Sequence, residues 1–282
     1  LLREQRDDHD AAFGKGAAMS TFTSYMNVAN NLTRYQTMTA ADPTVAQATK
    51  YFQANIASVT TPAQLVNNPR LFKYAMTAFG LGDMTYAKSM MQKVMEQGTS
   101  SSSALANTLN NPKILAFANA FNFKLYGTAT TQTTAATTDV TSQYVMQTLE
   151  TNQGSQDPGV QLALYFQQNA SKITSGYSIL ADSNLLTVAQ TTLGISSYTS
   201  AENIDQQSKQ LDSLLNYKDF QSPAKVQTFL ERFAAQYDLN NAGSSTSSST
   251  SNVVSATGAS SSTTTFSTSL LMSLQSFQLG GS

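Results

Sequence analysis

Residues Tyr51–Leu81, YFQANIASVTTPAQLVNNPRLFKYAMTAFGL, return 114 positions later as Tyr165–Ile195, YFQQNASKITSGYSILADSNLLTVAQTTLGI. Tyr51, Phe52, Gln53 and Asn55 meet Tyr165, Phe166, Gln167 and Asn169, and Thr60, Leu71, Ala75, Thr77 and Gly80 meet Thr174, Leu185, Ala189, Thr191 and Gly194. Elsewhere like replaces like, as Val59 with Ile173 and Leu65 with Ile179. A constant offset with preserved chemistry is the signature of a duplicated structural unit. Within the stretch, Thr61-Pro62 and Asn68-Pro69 predict helix starts: a side-chain oxygen accepts an orphan backbone N–H, and proline at the first helical position has none to leave unsatisfied. Gly80 and Gly194, each followed by an apolar residue, predict helix ends of the Schellman type.

The same punctuation runs through the chain. Asp42-Pro43, Asn111-Pro112, Asp157-Pro158 and Ser222-Pro223 repeat the start signal, and no convincing alternating strand pattern accompanies them. These features predict an all-α protein made of two tandem, divergent multi-helix repeats. The first, with an N-terminal helix, is expected over 19–126 and the second over 140–239, joined by a low-complexity linker at 127–139 with nothing large to bury. Phe22, Tyr25, Ala29 and Leu32 recur at helical spacing and form one stripe of an amphipathic helix between Ser20 and Arg34. Met84, Met90, Met91 and Met95 read as core of a helix ending before Gly98. Residues 240–265 collapse to a Ser/Thr-rich composition expected to form a disordered, flexible linker. Phe266, Leu270, Leu274 and Phe277 then make a C-terminal amphipathic helix over 266–282. Residues 1–18 differ in style and are expected to be a non-native or disordered extension, with Met19 as the natural start.

Composition excludes several classes of function. Net charge is −1 with 12% charged residues, so there is no basic face for nucleic acid. The chain has no cysteine, which removes disulfides, thiolate catalysis and cysteine zinc sites. No apolar run is long enough for a membrane span, and no cleavable signal pattern is present.

Candidate chemistry is sparse. His9 is the only histidine, so a nucleophile–base triad has almost no basis, and its neighbours Asp7, Asp8 and Asp10 read as a solvated tail. Asp83, Glu150, Asp182, Glu202 and Asp205 are scattered, at positions typical of caps or solvated faces. No phosphate-loop, dinucleotide or calcium-loop motif occurs. Arg70 is read either as paired with a buried acid or as solvent-exposed. Asn55 and Asn169 either terminate a helix or bond across the repeat interface. No catalytic, cofactor-binding or metal-binding residue is expected, and no cofactor. The candidate partner-contact residues are Phe22, Tyr25 and Leu32 near one end, and Phe266, Leu270, Leu274 and Phe277 near the other.

The run Tyr51-Phe52, Asn55, Leu65, Arg70-Leu71, Tyr74-Ala75-Met76, Ala78-Phe79-Gly80-Leu81, Asp83 and Tyr86-Ala87-Lys88 resembles the family catalogued as domain of unknown function 1217. So do Phe121-Asn122-Phe123, Tyr126-Gly127, Gly159 to Phe166, and Ile179-Leu180-Ala181-Asp182. The resemblance covers about Met19 to Leu239. It implies an alphaproteobacterial protein commonly encoded among flagellar genes, and it brings no catalytic residues. From it follows the expectation of a non-enzymatic, flagellum-associated structural or assembly protein. Its partners would be other flagellar or export proteins, with self-association through the terminal helices. The expected location is the flagellum or its export route. The alternative is a cytoplasmic export chaperone or regulatory factor.

Overall fold

The computed structural model describes residues 20–196 and 203–242, and among these there is no strand. The first half contains α1 (Thr21–Asn30), α2 (Leu32–Ala41), α3 (Pro43–Asn55), α4 (Pro62–Asn67), α5 (Pro69–Ala78), α6 (Lys88–Gln97), α7 (Leu105–Thr108), α8 (Pro112–Ala120) and α9 (Phe123–Tyr126). There follow α10 (Thr138–Gly154), α11 (Pro158–Asn169), α12 (Gly176–Leu180), α13 (Ser183–Leu193), α14 (Ile204–Leu214) and α15 (Pro223–Ala242). The protein is all-α.

Proline starts and glycine stops account for many of the helix boundaries. Asp42, Thr61, Asn68, Asn111 and Asp157 each accept backbone N–H groups of the helix they precede, and Thr61 with Gln64 forms a complete capping box. Gly80 and Gly194 hold φ of +65° and +67°. After them Leu81 N–H donates to Met76 O and Ile195 N–H to Gln190 O, both at 2.9 Å. These are the long-range bonds of two Schellman ends. A Cβ on Gly194 would meet no atom within 4 Å, so Gly194→Ala isolates the backbone cost of a left-handed alanine. Chemical denaturation should show a loss of about 1 kcal/mol, with the slope against denaturant unchanged.

The stretch 51–81 and its counterpart are built alike down to single hydrogen bonds. Asn55 Nδ2 donates to Tyr51 O at 2.7 Å and Asn169 Nδ2 to Tyr165 O at 3.0 Å, so both asparagines terminate their own helix. A three-residue 3-10 turn follows each, Ile56–Ser58 and Ala170–Lys172. The tyrosine hydroxyls then reach the capping residue of the next long helix. Asn68 Nδ2 donates to the Tyr51 hydroxyl at 3.3 Å, and the Tyr165 hydroxyl donates to Asp182 Oδ2 at 2.5 Å. Phe52 and Phe166 are fully buried. The Tyr-Phe-Gln-x-Asn motif is thereby a helix end whose tyrosine contacts the cap of the next long helix, α5 in one half and α13 in the other.

Buried side chains form two clusters. One gathers Phe52, Leu65, Leu71, Tyr74, Met91, Met95, Phe117 and Phe121; the other gathers Tyr25, Leu149, Val160, Phe166, Ile179, Val188, Leu230 and Phe233. Helix α10 belongs to both. Val140 and Tyr144 pack in the first cluster, where Tyr144 stacks on Tyr74 at 3.8 Å, while Met146 and Leu149 pack in the second.

Several expectations are corrected. The stripe from Ser20 to Arg34 is not one helix: it breaks at Asn31, whose side chain turns back to Asn27 O. Helix α1, grouped by sequence order with the first repeat, buries Tyr25 and Val28 in the second cluster, against α11 and α15. The supposed linker 127–139 is packed. Thr130, Thr131 and Ala136 are fully buried, and Thr131 Oγ1 donates to Val59 O at 2.6 Å. Threonine fills this space because its hydroxyl satisfies a backbone carbonyl while its methyl group packs. The Met-rich helix starts at Lys88 rather than Met84, with Met91 and Met95 in the core.

α1 is held by a distant carboxylate. Asp238 of α15 accepts from Thr21 N at 2.8 Å and Phe22 N at 3.0 Å, covering two orphan donors of the first turn. Asp238→Ala is expected to cost about 1–2 kcal/mol. Amide exchange should quicken first across residues 21–30.

Candidate interaction surface

Of the three expected contact residues among those described, one is fully buried and two keep part of their surface. Phe22 is 39% exposed, Tyr25 is fully buried and Leu32 is half-buried against the second cluster. Burial pushes the Tyr25 phenol well above its usual range, and Glu231 nearby adds to this. Tyr25 is thus a core residue, which corrects its reading as a contact. The reason is local: α1 lies on α11 and α15, so its apolar stripe is already covered. Phe266, Leu270, Leu274 and Phe277 lie outside the described residues, as do residues 1–18.

A groove of about 350 Å³ opens where α13, α14 and α15 meet. Leu193 from the end of α13, Leu214 and Leu215 from the end of α14, and Phe229 of α15 supply its apolar lining. Phe220 lies beneath on the 3-10 turn Tyr217–Gln221, edge-on to Phe229 at 5.3 Å and to Phe166 at 5.3 Å. Asn216 caps that turn through Lys218 N, which sets Leu214 and Leu215 at the groove's lip. Leu214 is 52% exposed. On the rim stand Arg232, exposed, and Lys225, which pairs with Asp219 at 2.6 Å. The groove leaves no contiguous pattern in the sequence because its walls come from three helices. The local signal is the Leu214-Leu215 pair, which places apolar side chains where a helix ends. A second, more open cleft of about 310 Å³ lies between Pro62, Glu96 and Phe123–Thr128, beside exposed Leu125 and Tyr126.

Of two charged side chains, Arg70 takes one of its two expected settings and Glu150 does not. Arg70 is solvent-exposed, the second of its two expected settings, and its guanidinium lies 3.6 Å from the centre of the Tyr51 ring in a cation–π contact. Glu150 is 1% exposed, and burial raises its carboxyl to about 8 despite the opposing influence of Lys113 and a hydrogen bond from Gln147. Among the described residues no group of three or more His, Cys, Asp or Glu side chains is placed to hold a metal ion. No described helix is long and apolar enough to cross a membrane.

The fold and surface define a class: an all-α protein with two clusters sharing a helix, and an apolar groove with a cationic rim. The family model of a protein of unknown function, DUF1217, matches residues 78–226. The chain belongs to that family. It is also similar to the crystal structure of a protein from Agrobacterium tumefaciens, at 35% identity and a TM-score of 0.74, over 81% of this chain and 98% of that one. No curated protein matches it.

Proposed function

We propose that this chain is a non-catalytic, flagellum-associated structural or assembly protein that acts through helical protein–protein contacts. The observation supporting this reading is the groove between α13, α14 and α15. Its apolar lining suits the apolar face of a helix, and its rim carries Arg232 and Lys225. Its occupant is an amphipathic helix of another flagellar protein, with an apolar stripe and an acidic side chain opposite Arg232. The flagellar setting itself rests on the family resemblance, with which a cysteine-free, charge-poor composition is compatible.

The test is complementation of a deletion strain of the native host, read by swimming and by electron microscopy of flagella. The wild-type chain should restore both. Leu214→Asp with Arg232→Glu, two exposed positions, should leave the fold intact by circular dichroism yet fail to restore them. A deletion strain that swims normally would overturn the reading, and so would full restoration by the double variant.

A further inference from the structure

Glu150 lies on α10, the helix both clusters share, and the groups around it come from both halves. Gln168 Nε2 of α11 donates to Glu150 Oε1, and Gln147 lies one turn back on α10. Two ionisable groups act on it from other elements. Lys113 of α8 is the cation that opposes its burial. Tyr165 of α11 senses its charge, and Lys113 Nζ stands 4.9 Å from the centre of that ring. Among the described residues no other charge is seen to act on Glu150; the Asp42 carboxylate at the start of α3 acts on Tyr144 of α10 instead. From α5, Tyr74 stacks on Tyr144, and from α2, Gln36 donates to Met146; the 3-10 turn Thr134–Ala136 has no ionisable residue.

The cation is also shared. Lys113 approaches the end of α5, where a Cβ on Gly80 would lie 3.6 Å from its Nζ and 3.0 Å from Gln147 Oε1. Lys113 therefore stands beside Gly80 at the end of α5 and is shared between the Tyr165 ring and Glu150. A carboxylate near the C-terminal end of α10 also opposes that helix's own dipole. Ionising Glu150 leaves a buried charge with one divided counter-charge, which is the costly case for an interior ion. Protonating it leaves a neutral group that remains hydrogen-bonded to glutamine.

We propose that Glu150 is a protonation-controlled latch on α10: neutral, it holds α10 against α11, and on losing its proton it loosens that contact and so the joint between the two clusters. This inference is independent of the groove and of the flagellar setting. Because the folded group holds its proton more tightly than an unfolded glutamate, the latch is fully closed below about pH 4.5. It weakens as pH rises from there to about 8 and is flat above.

The experiment is amide hydrogen exchange on the full chain at pH 6 and pH 8, corrected for intrinsic rates, for wild type and Glu150→Gln. In the wild type, protection across 138–169 should fall about 30- to 100-fold between the two pH values. In Glu150→Gln, which keeps the shape and cannot ionise, it should be nearly constant. Equal pH dependence in the two proteins would overturn the latch. A carboxyl carbon NMR titration of the wild type needs no variant. One glutamate with a midpoint near 8 supports the proposal, and midpoints all below 6 refute it.

Discussion

Replacing Phe166 with alanine is expected to remove about 3–5 kcal/mol of stability, and Phe52→Ala should do nearly the same. Both side chains are fully buried and both anchor aromatic stacks. Phe166 stacks on Phe229 at 5.1 Å and meets Phe220 edge-on; Phe52 stacks on Tyr74 at 4.4 Å, which stacks in turn on Tyr144 of α10. The two variants also report whether the clusters unfold together. Because α10 contributes Val140 and Tyr144 to one and Met146 and Leu149 to the other, melting one cluster strips the other of part of its core. Each variant should therefore lower a single thermal transition by roughly 6–20 °C. Splitting into two transitions, with only the mutated half shifted, would show that α10 does not couple them.

What the sequence revealed follows the range over which each interaction acts. Cap residues and their prolines act within four residues, so Asp42, Thr61, Asn68, Asn111 and Asp157 were legible, as were the glycine ends at Gly80 and Gly194. The recurrence at 114 residues was legible because it is a comparison of the sequence with itself. Interactions joining distant elements were not. Glu150 sat among scattered carboxylates because its partners, Lys113 and Gln168, belong to other helices. Tyr25 resembled a surface anchor because helical spacing identifies an apolar face without saying what covers it; α11 and α15 do. The threonines of 127–139 resemble a connector in sequence because they are small and polar, whereas the hydrogen bond of Thr131 to Val59 joins positions 72 residues apart. The groove arises from the ends of three elements and has no contiguous pattern.

The difference between the halves at one equivalent position leads to the second large effect, at Gly176. Its counterpart 114 residues earlier is Pro62, the first residue of α4; Gly176 is the first residue of α12. Here glycine is required by closeness rather than by its backbone angles. A Cβ would stand 2.6 Å from Ser208 O and 2.9 Å from Ser208 Cα, both backbone atoms of α14 that no rotamer change can move aside. The same residue donates its N–H to Asp212 Oδ1 at 2.8 Å, and Asp212 also accepts from the Tyr217 hydroxyl at 2.6 Å. Gly176→Ala should therefore push α14 off α12 and stretch this network, costing about 1–3 kcal/mol. The damage should be local, because α12 is the main neighbour of α14, which buries little besides Ser208 and Leu211. Limited proteolysis should cut within 204–215 while α3, α5 and α10 stay protected, whereas Gly194→Ala, with open space around it, should show no new cleavage. Since Leu214 and Leu215 form the lip of the groove, a helix-docking role also predicts that Gly176→Ala weakens partner binding more than its stability loss alone would. Intact proteolytic resistance in Gly176→Ala would mean that α14 shifts without loosening, and the close approach at Ser208 would then carry no structural role.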